Sequence, residues 1–333
     1  MDKRKSLSNT NFQLIKRFLV IYIIISFFIL NLAEAGLTSK VVITDGGTPE
    51  IRKVIGERLT KIVNSLEPQL WNNLIDYCTA DGLASLKELA ENTSCRNVSP
   101  LYEAKLLDLP GGGYEVRSIK VKIDMRKVKG NPYQYMVFTL DDSGLVSDVR
   151  FAMELLHYNK IIKEGERLKD FAYRQPIVQF IEIFRTAYNR KDIDYLRKVY
   201  SEDALIIVGR VLKEKPGEGN YLEKSSLPKE RIQLIKFSKK EYIERIERIF
   251  RLNEFIKVNF EEVEVMRHPK ISEIYGVTLK QNWHSSTYSD EGYLFLMMDF
   301  RDINRPQIHV RSWQPEKFPD GSVVNLGYFE LIE

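Results

Sequence analysis

The sequence predicts an α+β protein in which helices come before antiparallel strands, and this order occurs twice along the chain. Apolar residues recur at helical spacing over residues 49–66 and again over residues 176–188. Alternating apolar and polar stretches, separated by short turns, follow each helical region. Because strands joined by short turns pair antiparallel, we expect a meander in both halves rather than a parallel sheet.

The first predicted helix begins at Pro49. Thr48 provides a side-chain cap, and proline is tolerated in the first turn because its missing N–H would have no intrahelical acceptor there. Apolar residues continue at helical spacing to Leu66, and shorter helices are expected near residues 69–77 and 82–92. The strands that follow are predicted at residues 101–109, 114–128, 133–140 and 145–153.

A boundary is expected in the middle of the chain. Residues 160–175 are charged and lack a long apolar period, so they predict a linker between an N-terminal domain (residues 45–160) and a C-terminal domain (residues 174–333). A chain of this length has room for two domains of about 100–200 residues each. Pro176 is expected to open the second long helix, because proline suits a first helical turn.

The C-terminal half continues with a short helix, Asp192–Tyr200, and a buried strand, Ala204–Val208. Residues 212–231 are too polar to bury much surface and predict a mobile insertion. Ser238 and Glu241 have the spacing of a capping box at the start of another helix. The last strands are predicted at residues 255–266, 273–284, 292–300, 306–313 and 323–332.

The amino terminus has the three parts of a secretory signal. Basic residues precede an apolar run from Phe18 to Leu32, and an A-x-A tripeptide follows at residues 33–35. The run is shorter than the roughly 20 residues that span a bilayer. We therefore expect cleavage after Ala35 and export to the periplasm or the extracellular space, with no membrane association afterwards. An uncleaved membrane anchor is the alternative.

Export changes the meaning of the net charge. Residues 1–35 contain five basic and two acidic side chains, so three of the four net positive charges belong to the segment that is expected to be removed. The rest of the chain is nearly neutral. A surface of mixed charge does not attract a polyanion, so we expect no nucleic acid partner.

The two cysteines, Cys78 and Cys95, are 17 positions apart. In an oxidising compartment, a bridge at this spacing stabilises a protein by about 3 kcal/mol in the chain-entropy model. The pair lacks the C-x-x-C spacing of redox and metal sites. The sequence therefore predicts a structural disulfide between Cys78 and Cys95, provided that the chain is exported.

The motifs of several large enzyme classes are missing from the sequence. It has no phosphate-binding glycine loop and no G-x-S-x-G nucleophile motif. The histidines are not at the spacing of metal ligands; they are His157, His268, His284 and His309. We expect neither a metal nor a cofactor.

The stretch "AYNRKDIDYLRKVYSEDALIIVG" resembles the start of a nuclear transport factor 2-like domain. A third helix at residues 239–251 continues the order of that superfamily, as do the segments "DEGYLFLMMDFRD", "PQIHVRSWQPEK" and "VVNLGYFELIE". The resemblance covers residues 174–333. It implies a cystatin-like cone, in which a curved antiparallel sheet surrounds the long helix and leaves a pocket at its open end. Residues 45–160 have a similar order and are interpreted as a second, divergent copy.

The fold of this superfamily is shared by isomerases, cyclases, dehydratases, transport factors and non-catalytic binding modules, so the resemblance does not imply one activity. Its ketosteroid isomerase-like members need a carboxylate base together with a tyrosine and a carboxylic acid inside the pocket. No motif in this sequence matches theirs. Tyr188, Tyr293 and Asp299 are residues of the required types in plausible elements.

The stretch "QIHVRSWQPEK" begins at Gln307 and contains the strongest candidate site. Strict alternation would place Gln307, His309, Arg311 and Trp313 on one face of a strand, with Trp283 on a strand that could lie beside it. This face has three interpretations: a ligand site inside the cone, a protein interface, or an ordinary sheet surface.

Two functions remain open from the sequence. The first is an exported non-catalytic module that binds a small molecule or a protein through a cone-like pocket. A sheet face is the expected contact of a homodimer in this case. The second is an isomerase- or dehydratase-like enzyme that uses His309, Asp299 and Tyr293 as pocket acid and base. The candidate ligand-binding or interface residues are Trp283, Tyr293, Asp299, His309, Arg311 and Trp313.

Overall fold

Two six-stranded sheets, each with its own helices, organise the described part of the chain. The computed structural model describes residues 37–67, 69–109, 112–124, 131–154, 158, 161, 168–212 and 231–329. We call the unit around the first sheet the N-terminal lobe and the unit around the second sheet the C-terminal lobe. The α+β class predicted from the sequence is confirmed.

The N-terminal lobe adds a strand that the sequence analysis missed. This strand, β1, pairs parallel with β3 and forms one edge of a sheet with the order β1-β3-β4-β5-β6, while β2 pairs with β4. The elements are β1 Lys40–Asp45, α1 Pro49–Ser65, α2 Ala80–Thr93, β2 Arg96–Asn97, β3 Leu101–Asp108, β4 Tyr114–Lys122, β5 Tyr133–Leu140 and β6 Val146–Phe151.

The caps of both helices in this lobe agree with their sequence signals. The Thr48 hydroxyl accepts a hydrogen bond from the Ile51 N–H at 3.3 Å, with Pro49 in the first turn of α1. The Thr79 hydroxyl does the same for the Gly82 N–H at 3.1 Å, at the start of α2. The apolar faces that these caps position form the core of the lobe with strands β3 to β6.

The C-terminal lobe has the strand order β8-β7-β12-β11-β10-β9, in which only the β7–β12 pair is parallel. Its elements are α3 Leu168–Arg190, α4 Ile193–Val199, β7 Tyr200–Leu212, β8 Arg231–Phe237, α5 Lys239–Leu252, β9 Ile256–Arg267, β10 Ile274–Ser285, β11 Ser289–Asp299 and β12 Gln307–Gln314.

Helix α3 starts eight residues before Pro176, so the predicted start at this proline is wrong. Packing explains the earlier start, since Tyr173 contacts the rings of Tyr275 and Phe300 at centroid distances of 5.7 and 6.3 Å. Tertiary contacts of this kind outweigh the helix-breaking tendency of one proline. Part of the predicted linker is thus helical, while residues 162–167 lie outside the described residues. The division of the chain into two domains stays a prediction.

The inner core of the C-terminal lobe lies between α3 and the sheet. Ile177, Phe180, Ile181, Phe184 and Tyr188 of α3 are all buried there against strands β9 to β12. Their spacing puts them on one helical face. The expected burial of this helix against the C-terminal sheet is therefore confirmed.

The predicted fifth strand at residues 323–332 is wrong for the described residues, which instead form a loop and a short 3-10 helix, Leu326–Tyr328. Strand order gives the reason. Strand β12 already has β7 and β11 as neighbours, so the chain that leaves it has no free edge to join. It crosses the outer face of the sheet, where Val324 and Leu326 pack on Phe295 and Met297.

Strand β12 contains a β-bulge at its centre. Consecutive residues of β11 pair with Ile308 and Val310, so His309 is an extra residue. Ile308 and Trp313 belong to the inner core, whereas Val310 belongs to the cluster on the outer face. Arg311, just after the bulge, faces inward, with its guanidinium 5.0 Å from the centre of an inner-core tyrosine ring. The bulge therefore reverses the alternation that the sequence analysis took as strict.

The predicted disulfide is wrong, since Cys78 and Cys95 are both free and buried. Helix α2 occupies the chain between them and spans 14 residues, which corresponds to about 20 Å at 1.5 Å per residue. A disulfide needs Cα atoms about 4.4–6.8 Å apart. Burial raises the pKa of each thiol to about 11, so both are protonated and unreactive at neutral pH.

A buried ionic cluster joins the two lobes; we call it the interlobe cluster and define it as Glu115, Arg117, Arg150 and Glu182. Glu182 lies on α3 and accepts hydrogen bonds from both guanidinium groups, which lie on β4 and β6 of the N-terminal lobe. It also accepts from the backbone N–H of Met153 at 2.7 Å. Each buried charge in this cluster therefore has a partner of opposite sign.

Two sequence predictions fall outside what the structure can describe. The predicted signal segment, residues 1–35, and most of the predicted insertion, residues 213–230, lie outside the described residues. Within the part that is described, no helix is both long and apolar enough to cross a bilayer.

Candidate functional site

The candidate site is built around Arg311, on the inner face of β12. Its side chain is buried, with the residue only 6% exposed. The guanidinium carbon lies 5.0 Å from the ring centre of Tyr242 on α5, within the range of a cation–π contact. Among the described residues, neither Nε nor Nη1 of Arg311 has a hydrogen-bond partner.

A cluster of three phenols surrounds this arginine. Tyr188 lies on α3, Tyr200 starts β7 and Tyr242 lies on α5, so the cluster is brought together by three separate elements. The Tyr188 hydroxyl is 2.9 Å from that of Tyr242 and 3.3 Å from that of Tyr200. Three hydroxyl protons serve two mutual contacts, so one O–H of the cluster is not used within it.

The protonation states in the cluster are set by burial. Burial raises the pKa of Tyr188 and of Tyr200 above the ordinary value of 10, so both are neutral near pH 7. Burial opposes the charge on Arg311, but Tyr242, Tyr188 and Tyr200 raise its pKa above the ordinary value for arginine. The site therefore carries one positive charge.

Trp313 adds a further donor two residues along the same strand. Its Nε1 is buried and has no hydrogen-bond partner among the described residues. Its ring lies over Gly292 of β11, where an added Cβ would come within 2.7 Å of the indole. Glycine at this position is thus required for the ring to lie flat against the neighbouring strand.

Asp290 and Trp283 lie beside each other across the β10–β11 pair, near this group. The Trp283 ring meets Tyr188 edge to face at 5.7 Å. Burial raises the pKa of Asp290 above the ordinary value of 3.8, although a hydrogen bond from Tyr288 and the charge of Arg311 lower it in part. Within the described residues, no ion pair of 4.0 Å or less joins Asp290 to Arg311.

We call Arg311, Tyr188, Tyr200, Tyr242 and Trp313 the Arg311 site. In the described part of the chain, its unpartnered groups are donors: the Nε and Nη1 nitrogens of Arg311 and the indole N–H of Trp313. A buried donor without an acceptor costs about 1–3 kcal/mol. This arrangement suits a ligand that supplies several acceptor atoms and a negative charge, such as a carboxylate.

Three of the sequence-predicted residues, Trp283, Arg311 and Trp313, come together on the inner face of the sheet. His309 and Asp299 form a separate pair at 3.0 Å between Nε2 and Oδ2. The β-bulge causes this separation, because it turns His309 away from the face that Arg311 occupies.

The expected catalytic set of His309, Asp299 and Tyr293 does not assemble. Tyr293 and Asp299 are six residues apart on β11, about 20 Å at 3.3 Å per residue. Lys317 lies over the Tyr293 ring at 5.2 Å, and Arg301 holds the Asp299 carboxylate. Burial would raise the pKa of Asp299, but its hydrogen bonds to Arg301 and His309 lower it overall.

The sequence analysis missed Tyr200, Tyr242 and Asp290 as members or neighbours of the site. Tyr242 was assigned to the apolar face of its helix, and Tyr200 to the end of another helix. A tyrosine on an apolar face has the signature of a core residue, and its hydroxyl gives no separate signal in the sequence. Only the meeting of three elements shows that the hydroxyls point at one arginine.

No protein-family model matches this chain, and no curated protein sequence matches it. Solved structures do. A protein of Bdellovibrio bacteriovorus, Bd1075, shares 17% identity over 51% of this chain and 46% of its own, with a TM-score of 0.33. A candidate scytalone dehydratase from Novosphingobium aromaticivorans shares 10% identity over 47% of this chain and 92% of its own, with a TM-score of 0.33.

A candidate dehydratase of the nuclear transport factor 2-like family from Streptomyces avermitilis shares 13% identity over 40% of this chain and 87% of its own, with a TM-score of 0.28. About half of the chain is similar to proteins of this kind. This likeness agrees with the fold resemblance expected from the sequence. Because each of these TM-scores is below 0.5, it carries no argument about superfamily or activity, and any activity has to be argued from the site itself.

Proposed function

We propose that the protein is an exported, non-catalytic module whose C-terminal lobe binds a small organic anion at the Arg311 site. The observation that carries this proposal is the group of unpartnered, buried donors around one uncompensated positive charge. A carboxylate supplies the negative charge and an acceptor for the unpartnered guanidinium nitrogens. Trp283 and Trp313 supply aromatic surface for the rest of the ligand.

Ordered water is the simplest competitor, since it too can accept from buried donors. Water, however, brings no negative charge to Arg311, and burial of an uncompensated charge remains costly. An anionic ligand satisfies both the donors and the charge. If the site is built for an anion, a carboxylate should bind better than its neutral amide. If it is built for water, the two should bind equally well.

A thermal-shift and calorimetry screen tests this difference. The probes are aryl and alkyl carboxylates of increasing size, from acetate to naphthoate, each paired with its primary amide. We expect a carboxylate to raise the melting temperature of the wild type, whereas the paired amide does not. At a ligand concentration of about 100 times Kd the stabilisation is about 2.7 kcal/mol.

The matched variants are Arg311→Met and Arg301→Met, which remove a buried and an exposed arginine of the same lobe. The first should lose the carboxylate response and the second should keep it. Equal responses to carboxylate and amide, or a full response in Arg311→Met, would contradict the proposal.

A second function has one observation in its favour, the raised pKa of Asp290 close to Arg311. A partly buried carboxylate of this kind is a candidate general base in an isomerase- or dehydratase-like reaction. Deuterium exchange next to the carbonyl of a bound ketone, followed by NMR, distinguishes the two functions. Exchange that Asp290→Asn abolishes would favour the enzyme, and absence of exchange with retained binding would favour the binding module.

Export is proposed from the signal-like amino terminus alone. We expect the mature protein to begin at Gly36, which amino-terminal sequencing of the exported product measures. An intact amino terminus that stays in the membrane fraction would support the anchored alternative.

A further inference from the structure

A groove of about 1230 Å³ lies between the two lobes. None of the side chains that define the Arg311 site lines it. It is larger than the roughly 300–1,000 Å³ of most small-molecule sites. Of the residues that line it, only Asp290 also takes part in the functions considered above. Its volume suits an extended ligand rather than a compact one.

One wall of this groove is a flat, polar sheet face. Strands β9, β10 and β11 contribute side chains at every second position, which places them all on the same side of the sheet. They are Lys257, Asn259 and Glu261 on β9, Lys280, Asn282 and His284 on β10, and Ser289 and Glu291 on β11.

The opposite wall carries a pair of exposed aromatic rings. Tyr133 and Tyr135 lie two residues apart on β5 and are 39% and 46% exposed. Lys120 on the neighbouring strand holds its ammonium 4.6 Å from one ring centre and 6.0 Å from the other. The two rings therefore form an ordered strip along the rim of the groove, instead of packing into the core.

The charges around the groove nearly cancel. Arg117, Lys257 and Lys280 are opposed by carboxylates, and Lys280 is already paired with Glu291 at 3.3 Å. The carboxylates of the lining are Glu154, Glu261, Asp290 and Glu291. Because the positive and negative side chains of the lining nearly cancel, the groove does not attract a polyanion such as nucleic acid or heparin.

Uncharged groups that both donate and accept make up much of the remaining lining. The amides are Asn131, Gln134, Asn189, Asn259 and Asn282, and Tyr158 lies with them. An amide, like a sugar hydroxyl, offers a donor and an acceptor in one group. Asn189 and Asn259 use both their amide oxygen and their amide nitrogen within the protein. The other amides, above all Gln134 and Asn282, can therefore bond to a ligand rich in hydroxyls without needing a charge.

We infer that the groove binds a neutral oligosaccharide. The C–H faces of its sugar rings pack on Tyr133 and Tyr135, because a pyranose ring presents a flat apolar face to an aromatic ring. Its hydroxyls bond to the opposite wall, where Asn282 lies on β10, the middle one of the three strands that form this wall. The site is open and elongated, so several sugar units bind along it.

Calorimetric titration of the full chain with cellohexaose, maltohexaose and chitohexaose tests this inference. We expect at least one of these probes to bind, and Tyr133→Ala combined with Tyr135→Ala to weaken its binding at least tenfold. Tyr328→Ala is the matched control, because Tyr328 is an equally exposed tyrosine that does not line the groove. Its affinity should equal that of the wild type.

Further variants separate recognition from folding. Tyr133→Trp and Tyr135→Trp keep an aromatic surface and should retain binding within about threefold, whereas Asn282→Ala should weaken it. Arg311→Met should leave oligosaccharide binding unchanged, which makes this result independent of the proposed function. The inference is overturned if no hexasaccharide binds, if the double alanine variant binds as tightly as the wild type while folded, or if heparin binds and the neutral probes do not.

Discussion

Arg150 and Arg311 are both buried, but the structure surrounds them in opposite ways. Every nitrogen of Arg150 has an acceptor: Nε bonds to Glu182, Nη2 to Glu115 and Nη1 to the hydroxyl of Thr139. Arg311 is enclosed by phenols and, within the described chain, leaves Nε and Nη1 unpartnered. Buried arginine therefore occurs in two environments in the same molecule, one with all its hydrogen-bond acceptors and one without.

The contrast separates a charge that holds the fold together from a charge that is available to a ligand. A buried ion pair with complete hydrogen bonding stabilises little by itself, but it is costly to break. A buried charge without a partner destabilises the empty protein and is compensated only when something binds. The two arginines should consequently respond with opposite sign to removal.

The largest expected effect is in the interlobe cluster. Glu182→Gln keeps the shape of the side chain but leaves Arg117 and Arg150 without their shared carboxylate. We expect the free energy of unfolding, measured by urea denaturation, to fall by about 3–5 kcal/mol. Glu202→Gln, which neutralises an exposed carboxylate paired with Lys239, should change it by less than about 1 kcal/mol. Equal losses in the two variants would mean that the interlobe cluster is not the stabilising element.

A smaller effect of opposite sign is expected at Arg311. Arg311→Met removes the uncompensated charge and keeps an unbranched apolar side chain in the core. We expect the ligand-free protein to become more stable by about 1–3 kcal/mol, the cost of the unsatisfied donors. Arg150→Met is the matched control and should lose stability, because it leaves the buried carboxylates of Glu115 and Glu182 with Arg117 as their one shared cation in the cluster. If both variants lose stability to the same extent, the distinction between the two arginines fails.

Two β-bulges show how much of this arrangement could be predicted from the sequence. In β4 the pairing shifts between Val116 and Ile119, and both residues are fully buried. The apolar pattern itself reveals that shift, because two apolar residues three positions apart cannot share a face in a regular strand. In β12 the bulge brings Arg311 to the inner face. The sequence does not reveal this, because a polar residue in a strand is normally expected to face solvent.

The predicted disulfide conflicts with the helix predicted between its two cysteines. A helix over residues 82–92 and a bridge between Cys78 and Cys95 exclude each other, since the helical rise sets the cysteines too far apart for a disulfide. The helix was the safer choice, because it rests on many residues rather than on one pair. Local patterns thus predicted the elements well, while contacts between elements required the three-dimensional structure.

The smallest expected effect is in the pH dependence, where the two regions should again differ in sign. Burial would raise the pKa of Glu115, but Arg150 and Arg117 lower it below the ordinary value of 4.5. Its stabilising contribution is present above that value and is lost as the pH falls through the lower pKa of the folded state. Asp290 has its pKa raised above 3.8, chiefly by burial, so its ionised form costs stability and acidification relieves that cost.

Urea denaturation from about pH 6 down to about pH 3.5 measures both contributions. Each is the difference in the free energy of unfolding between the wild type and the variant that lacks the carboxylate. The stability advantage of the wild type over Glu115→Gln should shrink as the pH falls through the lowered pKa of Glu115. Asp290→Asn should instead be the more stable protein near neutrality, and the wild type should catch up as Asp290 becomes protonated. Stability curves of the three proteins that stay parallel over this range would show that neither carboxylate is coupled to its neighbouring arginine as the structure indicates. The two differences have opposite signs near neutrality because the paired arginines dominate the pKa of Glu115, whereas burial dominates the pKa of Asp290.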